Sequence, residues 1–422
     1  MEEQKSGNST NGEVSESLEL KDEEVVKALE VSTEPLDLES IKVGGELAPT
    51  IPATVPKSPE EIKAPPVLDV LDDETKQLYL EFNTFLEKKV QLTEDTGIKK
   101  VIPTGIDLLD AILGGGFAIG TLNMIVGQPG CGKSMLASQV LGNAQKLYKG
   151  RLLSGYLDSE EAMTTIRLAN LGVRYPMIKP YTDLTVEKIF RYIEGLCLFK
   201  IQKSIVDIPS VVVWDSLANT LSNKEKEAQD PNSVIGYRAR LLSLLVPQYI
   251  SKLNSYSICL IVVNQLRDVL QMGMYAPAKD LKFLPQSKDI AGGNTIKFNS
   301  FALVELKIKS VVNPDKLSFE GIIVKAKCVK NKLFPPNVEV ELVGDFVRGF
   351  SNFWTNYNFL VSLKAISTGP WNSLVTLPAK KFRTKDAETL YGEDQEFKQY
   401  FDAAVKTGIQ TDIVEKYNPV IS

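Results

Sequence analysis

In the central part of the chain, apolar residues follow two patterns that alternate along the sequence. In the first pattern they form short unbroken runs, as in residues 121–126 and 210–214, and such runs predict strands covered on both faces. In the second pattern they recur every three or four positions, as in residues 134–147 and 237–253, which predicts helices with one buried side. Further strands are predicted at 152–157, 257–263, 303–309, 321–327 and 337–342, and further helices at 162–171, 186–198 and 295–301. This alternation favours an α/β fold with a mainly parallel sheet covered on both faces.

The N-terminal part of the chain lacks this alternation. Residues 1–75 contain 19 Asp or Glu against 6 Lys and are rich in Ser, Thr, Pro and Glu. Because such a composition buries too little apolar surface to offset the entropy of ordering, we predict a disordered acidic tail over residues 1–72. The tail fits a plain solubilising extension, and equally an acidic arm that docks a partner or competes with nucleic acid for basic surface.

Two further segments flank the alternating core of residues 101–350. In residues 73–100, apolar side chains between positions 78 and 86 lie close to helical spacing, so we predict a helix that packs on its own domain or on a neighbouring subunit. Residues 351–422 suggest a small module with an aromatic core, which is either structural or a gateway for duplex DNA. Its aromatic residues include Phe353, Trp354, Trp371 and Phe382.

Composition narrows the class of protein. The chain has 422 residues, 43% of them hydrophobic, which is enough material for two or three domains. We expect a cytoplasmic protein, because no apolar run reaches the roughly 18–20 residues that span a bilayer and the start lacks a signal-peptide pattern.

The four cysteines are far apart and form no C-x-x-C pair, which indicates reduced thiols. The absence of histidine excludes His-based triads and His metal sites, so acid–base chemistry falls to carboxylates or positioned water.

Residues 127–134 read G-Q-P-G-C-G-K-S and match the phosphate-binding pattern G-x-x-x-x-G-K-[ST]. In this pattern the glycines let backbone amides turn toward phosphate oxygens, Lys133 reaches the β- and γ-phosphates, and the Ser134 hydroxyl can ligate Mg²⁺. The predicted strand before the loop and the predicted helix after it supply the expected setting, with a helix N-terminus facing the anion. We therefore predict a nucleoside triphosphate site. Its predicted residues are Gly127, Gln128, Pro129, Gly130, Cys131, Gly132, Lys133, Ser134 and Met135.

Polar side chains at the ends of three predicted strands add to this chemistry. Asp215 follows an apolar strand, and at the carboxyl edge of a parallel sheet its carboxylate can hold Mg²⁺. Glu160 can orient or deprotonate an attacking water, although Asp158, Glu160 and Glu161 also fit as caps of the following helix. Gln265 ends another strand, where an amide can sense the γ-phosphate or simply close the strand.

Several sequence blocks resemble one family, the RecA-type ATPases of homologous recombination, which include bacterial RecA and phage UvsX-like recombinases. Besides the phosphate loop, residues 103–116 (P-T-G-I-D-L-L-D-A-I-L-G-G-G) resemble the family's lead-in to that loop. Residues 263–267 (V-N-Q-L-R) and 292–298 (G-G-N-T-I-K-F) are similar to its N-Q-I-R and G-G-N-A-L-K-F blocks. Residues 329–332 match its V-K-N-K. The resemblance implies a RecA-like P-loop ATPase core with a mainly parallel sheet.

The resemblance also implies a role for each residue of the nucleotide site. Glu160 corresponds to the water-activating glutamate, and Gln265 to the amide that couples the γ-phosphate to a DNA-binding loop. Lys330 and Lys332 would stabilise charge on the nucleotide of the adjacent subunit, so hydrolysis would require assembly. Arg167 stands where the family carries a tyrosine that stacks on adenine, and a guanidinium can also stack on a base. The implied cofactors are ATP and Mg²⁺, and the implied metal ligands are Ser134 and Asp215.

The two DNA-binding loops of the family correspond here to residues 222–236 and 268–292. Long loops inside a compact α/β domain are more often functional than not. Taken alone, each basic residue near them fits a solvated surface charge, but as a set they predict contacts to DNA phosphates. The predicted DNA-binding residues are Gly236, Arg238, Arg240, Arg267, Lys288, Gly292, Gly293, Asn294 and Lys297.

The sequence thus predicts an ATP-dependent DNA recombinase. It would form a homo-oligomeric helical filament on single-stranded DNA, admit double-stranded DNA and exchange strands in recombination and repair. Mediator or single-strand-binding proteins would dock on the acidic tail, and the protein would work in the bacterial cytoplasm, or in the host cytoplasm if a phage encodes it. Two alternatives stay open: a ring helicase or KaiC-type motor on the same core, and a non-catalytic recombination mediator.

Overall fold

The structure is a computed structural model that describes residues 77, 81, 100–149, 151–174, 180–181, 183–268, 284, 288–312, 317 and 319–417. The predicted acidic tail lies outside the described residues, and so do most of the predicted helical segment before the core and most of the second predicted DNA loop. The predicted domain boundaries stay predictions. In the described part of the chain, no helix combines the length and the apolar character that a membrane crossing requires.

The described residues form strands and helices that alternate in the first part of the chain and give way to runs of consecutive strands after residue 302. The strands are β1 (Val101–Ile102), β2 (Phe117–Ala118), β3 (Leu122–Gly127), β4 (Leu153–Asp158), β5 (Pro180–Tyr181), β6 (Ser210–Asp215), β7 (Ile258–Asp268), β8 (Lys288–Ile290), β9 (Ala302–Val311), β10 (Gly321–Lys330), β11 (Glu339–Asp345), β12 (Gly349–Ser351), β13 (Ile366–Ser367), β14 (Asn372–Leu374) and β15 (Leu377–Phe382). The α-helices are α1 (Asp107–Leu113), α2 (Lys133–Leu147), α3 (Thr165–Asn170), α4 (Val186–Gln202), α5 (Asn223–Glu227), α6 (Tyr237–Ser255), α7 (Asn294–Asn299), α8 (Asn352–Ser362), α9 (Ala387–Glu393) and α10 (Gln395–Ile409). Short 3₁₀ turns occupy Pro231–Val234 and Thr384–Asp386, and a π-helical turn, Gln410–Glu415, continues α10.

One large sheet organises the core in the order β12-β11-β10-β9-β3-β7-β6-β4-β5, with β8 paired to β7. The strands from β9 to β5 in this order run parallel to one another. Strands β10, β11 and β12 extend one side of the sheet in antiparallel pairing. The predicted α/β fold with a mainly parallel sheet is therefore confirmed.

The register of the parallel strands brings the predicted chemistry to one edge of the sheet. Gly127, the first residue of the phosphate loop, pairs with Gln265 on the neighbouring strand. Asp158 pairs with Asp215 in the same way. Because parallel strands end at the same edge, residues that are far apart in sequence converge beyond their carboxyl ends.

Helices cover both faces of this sheet, and alternate residues of each central strand enter different hydrophobic clusters. On β6, Val211 and Val213 face the cluster that includes α1, α2 and α3, whereas Val212 and Trp214 face the cluster that includes α4 and α6. All four side chains are fully buried. Burial on both faces explains why the central strands are continuous apolar runs in the sequence.

The C-terminal residues build a third hydrophobic cluster around aromatic rings. Its largest members are Phe353, Trp354, Tyr357, Phe382, Phe397 and Phe401. Phe353 stacks on Phe401 with ring centroids 5.2 Å apart, and Val343 of β11 joins the same cluster. Trp371, which the sequence suggests as part of this core, is instead 54% exposed and lies under the guanidinium of Arg383, 5.1 Å from its ring centroid.

Several elements differ in length from their predicted bounds, each for a local reason. Helix α3 begins at Thr165, not at residue 162, because the Asp158 carboxylate accepts the amides of Glu160 and Met163 and holds this stretch as a turn. Strand β7 runs on to Asp268 because β8 pairs with its last residues. The first predicted loop contains α5 and a 3₁₀ turn, since Ser222 and Glu225 form a capping box.

Candidate active site

The phosphate loop runs from the end of β3 into the start of α2. Gly132 stands at the N-terminus of α2 with φ of 88°, a left-handed conformation that glycine adopts without strain. A Cβ atom on Gly127 would stand 2.4 Å from the carbonyl oxygen of Leu306 on β9. The loop therefore requires glycine at both of these positions, at one for its backbone angle and at the other for the close approach of a neighbouring strand.

A cleft of about 310 Å³ lies against this loop, within the size range of small-molecule sites. Its lining residues are Pro129, Gly130, Gly132, Lys133, Ser134, Met135, Glu160, Arg167, Val263, Gln265, Ile322 and Phe346. Among the other predicted nucleotide residues, Gln128 is exposed, whereas Gly127, Cys131 and Asp215 are buried. The structure thus brings most of the predicted nucleotide site into one cleft.

Lys133 occupies the centre of the loop and is buried. Its side chain is only 8% exposed, and its Nζ donates a hydrogen bond to the carbonyl oxygen of Gln128 at 2.8 Å. An ammonium group has three protons to donate, so this bond leaves donors for an anion in the cleft. A buried charge of this kind is stabilised when an opposite charge arrives.

Asp215 is buried at the carboxyl end of β6 beside the loop. Its Oδ2 accepts a hydrogen bond from the Tyr156 hydroxyl at 2.7 Å, while its buried Oδ1 has no hydrogen-bond partner among the described residues. Burial raises the pKa of Asp215 to about 6, and the Tyr156 hydroxyl and the nearby Ser134 hydroxyl oppose this rise. The unpaired carboxylate oxygen makes Asp215 a ready ligand for a cation.

The residues around Asp215 fit Mg²⁺. The buried Oδ1 atom and the neighbouring Ser134 hydroxyl are both hard oxygen donors, the kind that Mg²⁺ prefers. No cluster of three or more acidic, Cys or His side chains forms a metal cage within the described ranges. Such a sparse donor set suits Mg²⁺, which typically takes one or two carboxylates and completes its shell with substrate phosphates and water.

Glu160 lines the cleft and is anchored at one oxygen. Its Oε1 accepts a hydrogen bond from the Ser216 hydroxyl at 2.5 Å. The capping contacts before and at α3 come from Asp158 and from Thr164, whose hydroxyl accepts the amide of Arg167. Glu160 therefore projects into the cleft with a fixed orientation, as a residue that orients water must do.

Gln265 connects the cleft with the strand that leads into the second predicted DNA loop. The backbone amide of Gln265 donates to Asn264 Oδ1 at 2.8 Å, and Asn264 Nδ2 donates to the Ala291 carbonyl at 2.8 Å. Three residues beyond Gln265, β7 pairs with β8 at Asp268 and Lys288. Asn264 therefore fixes the two ends of the second loop against each other beside the cleft.

Arg167 lies at the cleft, where its guanidinium is hydrogen-bonded to backbone. Its Nη1 donates to the carbonyl oxygen of Phe346 and, at 3.1 Å, to that of Val347. These two residues form the turn between β11 and β12, and Phe346 lines the cleft with its ring 45% exposed. The predicted stacking of Arg167 on a base stays a prediction, and in this structure the guanidinium holds an exposed aromatic ring at the cleft.

Lys330 and Lys332 lie at the far end of β10 from the cleft. Lys330 Nζ donates to the carbonyl oxygens of Lys297 and Phe298, at 3.1 and 2.6 Å, at the end of α7. Burial, and then the neighbouring Lys332, lowers the pKa of Lys330 to about 8. Lys332 is exposed, with its Nζ 5.7 Å from the centroid of the Phe301 ring. The structure thus separates these lysines from the other predicted catalytic residues of the same chain.

The predicted DNA-binding residues divide into exposed and internally bonded groups. Arg240, Arg267 and Asn294 are exposed. Arg238 donates to backbone carbonyls, and Lys297 is buried and pairs with Asp289 at 2.7 Å. The glycines have positive φ, 73° at Gly236, 95° at Gly292 and 80° at Gly293. Lys288 is described only as part of β8.

Three residues of the site are absent from the sequence-based predictions: Tyr156, Ser216 and Phe346. Tyr156 carries a hydroxyl on a central strand two residues before the carboxylate end, a polar group that needs a buried partner. Ser216 directly follows Asp215, the predicted metal ligand. For Phe346 the sequence offers no signal, since only the fold of the turn between β11 and β12 brings it to the cleft.

Comparison with known proteins identifies one family. The family model described as the RecA N-terminal domain matches residues 84–351. Protein RecA of Thermus aquaticus is 31% identical over 277 residues, which cover 65% of this chain and 75% of that protein. Protein RecA of Thermus thermophilus is 30% identical over 294 residues, 69% of this chain and 80% of that protein. Protein RecA of Syntrophobacter fumaroxidans is 31% identical over 277 residues, 65% of this chain and 74% of that protein.

The fold and the cleft define a P-loop protein with a RecA-like core. The chain belongs to the RecA family. The family match ends at residue 351, so the buried aromatic residues of the third cluster, from Phe353 to Phe401, lie beyond it.

Proposed function

We propose that this protein is an ATP-dependent DNA recombinase that hydrolyses ATP between neighbouring subunits of a filament on single-stranded DNA. The observation that carries the proposal is that the nucleotide cleft and the basic pair Lys330 and Lys332 lie at opposite ends of β10. Ile322, near the start of the strand, lines the nucleotide cleft. Lys330, at its end, is eight residues away, or about 26 Å at roughly 3.3 Å per residue.

This separation is too large for a lysine side chain to bridge. Lys330 and Lys332 therefore have no access to a phosphate bound at Lys133 of the same chain. They can act on a nucleotide only if another subunit presents its cleft to them, as happens when one surface patch of a protein binds a different patch of the next copy. Such head-to-tail contacts produce rings or helical filaments.

At the cleft itself the roles follow from the contacts. Lys133 and the loop amides bind the phosphates, and Ser134 with Asp215 would hold Mg²⁺, which neutralises phosphate charge when bound. Glu160, fixed by Ser216, orients the attacking water and accepts its proton. Lys330 and Lys332 of the adjacent subunit stabilise the negative charge that develops on the transferring phosphoryl group.

DNA would be bound on the side of the two predicted loops. The exposed residues Arg240 and Arg267 supply positive charge for backbone phosphates. Gln265 lines the cleft and lies on the strand that enters the second loop, so a change at the γ-phosphate can alter how that loop is held. Binding of ATP would in this way favour the DNA-bound filament, and hydrolysis would favour release.

The test is a mixing experiment with two inactive variants. The first is Lys133→Ala, which lacks a working cleft, and the second is the double variant Lys330→Ala with Lys332→Ala. Each alone is expected to have almost no DNA-stimulated phosphate release. Mixed in equal amounts, they should recover about a quarter of wild-type turnover, because that share of interfaces pairs an intact cleft with intact lysines.

The outcomes separate the alternatives. Recovery together with helical filaments on single-stranded DNA, and with strand exchange between homologous DNAs, supports the recombinase. Recovery together with closed rings that unwind forked DNA supports a ring motor instead. Binding of DNA without any phosphate release by the wild-type protein would identify a non-catalytic mediator.

A further inference from the structure

We propose that Arg238 is a positioning residue that connects the first predicted loop with Glu160, and that it does not contact DNA. The inference rests on the proposed function, because it concerns how DNA bound at that loop affects hydrolysis. A continuous set of hydrogen bonds runs from Arg238, through the turn after β6, to the Glu160 carboxylate. The turn comprises residues 216–220 and is called here the β6 turn.

The inner side of the β6 turn is held by hydroxyl groups. Ser159 Oγ accepts the amide of Ser216 at 3.0 Å and donates to the Ser216 carbonyl at 2.9 Å. Thr220 Oγ1 lies 2.9 Å from Ser159 Oγ and accepts the indole N–H of Trp214 at 2.7 Å. All of Trp214, Ser216 and Thr220 are fully buried. Because each hydroxyl has more than one partner, the β6 turn can move only as a unit.

This turn also fixes the catalytic carboxylate. The Ser216 hydroxyl donates to Glu160 Oε1 at 2.5 Å, and Ser216 itself is placed by Ser159, which directly precedes Glu160 in the segment after β4. A displacement of the β6 turn therefore changes the position of the Glu160 carboxylate relative to the cleft. A shift of about 1 Å in such a group can cost about a hundredfold in rate.

Arg238 holds the outer side of the same turn. Its Nη1 donates to the carbonyl oxygens of Thr220 and Ala218, at 2.8 and 3.1 Å. Its Nε lies 3.7 Å from Glu225 Oε1, and the two side chains are only 19% and 15% exposed. Glu225 belongs to the capping box that begins α5 inside the first predicted loop. Arg238 thus joins the loop helix to the β6 turn.

Arg240, on the same helix, differs from Arg238 in its exposure to solvent. Arg240 is two residues further along α6, which places it on the far side of the helix, and it is exposed. Arg240 is therefore available to a DNA phosphate, whereas the guanidinium of Arg238 is already occupied by carbonyls and a carboxylate. When DNA displaces the loop, Arg238 transmits the movement of α5 to the β6 turn and so to Glu160.

The experiment compares Arg238→Ala and Arg240→Ala in the full-length protein, with Arg191→Ala, an exposed position on α4, as a matched arginine control. Phosphate release is measured with and without single-stranded DNA, and DNA affinity is measured over a range of salt concentrations. For Arg238→Ala we expect DNA affinity within about threefold of wild type, an unchanged salt slope and an unchanged KM for ATP. Its kcat at saturating DNA should fall at least about tenfold.

The expected pattern for Arg240→Ala is weaker DNA binding and a salt slope smaller by about one. Arg238→Lys keeps a cationic donor group for the carbonyls but lacks the forked guanidinium that also reaches Glu225, so its kcat should lie between those of Arg238→Ala and wild type. If Arg238→Ala fails to fold, Glu225→Gln tests the same connection, because it removes the charge that faces Arg238 and keeps the shape. It should lower DNA stimulation without altering DNA affinity.

Two results overturn the inference. The first is a loss of DNA affinity and salt slope in Arg238→Ala equal to that in Arg240→Ala, with DNA stimulation unchanged, which would make Arg238 a DNA contact. The second is full DNA stimulation in both Arg238→Ala and Glu225→Gln. A wild-type protein without DNA stimulation would overturn the proposed function as well, whereas a stimulated wild type with equally stimulated variants overturns only the role of Arg238.

Discussion

The two ends of β10 carry different parts of the proposed active site. At the Ile322 end, the groups proposed to bind phosphate and metal are anchored by their own chain: Lys133 by a loop carbonyl, Asp215 by Tyr156 and Glu160 by Ser216. At the Lys330 end, positive charge is positioned by backbone carbonyls, far from the phosphates of the same chain. If the proposed function holds, the difference means that one protomer binds the nucleotide but lacks part of the charge that its hydrolysis requires.

Burial has a different consequence at the two ends. It raises the pKa of Asp215 to about 6 and so favours its protonated form, until a cation compensates. It lowers the pKa of Lys330 to about 8 and so disfavours its charged form, until an anion compensates. Each end thus favours a charged partner of opposite sign, which under the proposed function is a metal ion for Asp215 and a phosphate of the next subunit for Lys330.

The largest effect is expected from Lys133→Ala, which removes the buried ammonium from the cleft. ATP turnover should fall by at least about a hundredfold, because the donor lies where phosphate charge develops. Nucleotide-dependent DNA binding should be lost as well. Phosphate release and DNA anisotropy measure the two effects, with Lys146→Ala, an exposed lysine in the last turn of α2, as control. Filaments that still form in an ATP-dependent manner would contradict the assignment.

The second-largest effect is expected from removing the two lysines at the other end of β10. Lys330→Ala combined with Lys332→Ala should lower turnover by about a hundredfold to a thousandfold, in the range of a lost transition-state donor. ATP binding to dilute protomers should stay unchanged, because these lysines lie far from the cleft of their own chain. The surface lysine variant Lys309→Ala, which breaks only an exposed pair with Glu341, serves as control. Weakened ATP binding in protomers would place the lysines at their own cleft.

The pH dependence of Mg²⁺ binding tests the role proposed for Asp215 at the cleft end of β10. With a pKa of about 6 for Asp215, protons compete with Mg²⁺ below that pH, and the apparent Mg²⁺ affinity should fall about tenfold for each further pH unit. Above that pH the carboxylate is ionised and the affinity should level off. Titration of Mg²⁺ by calorimetry in the presence of a non-hydrolysable ATP analogue measures this. A flat profile between pH 5 and pH 7 would remove Asp215 from the metal site.

A smaller effect is expected from Tyr156→Phe, which deletes the hydroxyl that donates to Asp215 Oδ2 and keeps the buried ring. The carboxylate loses a hydrogen bond to its charged form, so the pKa of Asp215 should rise and the Mg²⁺ concentration for half-maximal turnover should increase about threefold to tenfold at neutral pH. Excess Mg²⁺ should restore turnover. A variant that excess Mg²⁺ does not rescue would show that Tyr156 acts through folding and not through the metal site.

The smallest effect is expected from Arg167→Ala at the edge of the cleft. The turn that carries Phe346 loses two hydrogen bonds, and ATP and ADP affinities should each fall by up to about tenfold, the equivalent of roughly 1.4 kcal/mol. Fluorescent nucleotide binding measures the change. Phe346→Ala should produce a similar loss if the ring is the surface that the base meets. An Arg167→Ala effect with unaltered binding in Phe346→Ala would favour direct stacking by the guanidinium.

Local sequence patterns predict the fold class and the residues of the cleft, because both depend on interactions between neighbouring residues. The glycine pattern of residues 127–134 fixes the backbone of the phosphate loop, and apolar runs of strand length identify the central sheet. The strand-end positions of Glu160, Asp215 and Gln265 follow once the strands are known to be parallel. The bounds of α3 were harder to predict, because the competing turn depends on the Asp158 side chain.

The type of a residue alone does not determine which groups its side chain contacts in the folded protein. Arg238 and Arg240 are indistinguishable by composition, yet one is bonded to the β6 turn and the other is exposed. Tyr156 and Val213 are equally central strand residues, but the register across β4 and β6 brings the hydroxyl of Tyr156 to Asp215. Such contacts depend on the distance between segments that are separated by dozens of residues.

The sequence by itself determined that this chain has an α/β core with a phosphate loop and belongs with the RecA family, because glycine geometry and hydrophobic periodicity are properties of neighbouring residues. Only the tertiary structure decided which groups share the cleft and which lie about 26 Å away along β10. It also decided that Arg238 holds a turn while Arg240 faces outward. Those outcomes depend on strand order, register and burial, which bring distant residues together and set the energetic cost of leaving their charges unpaired.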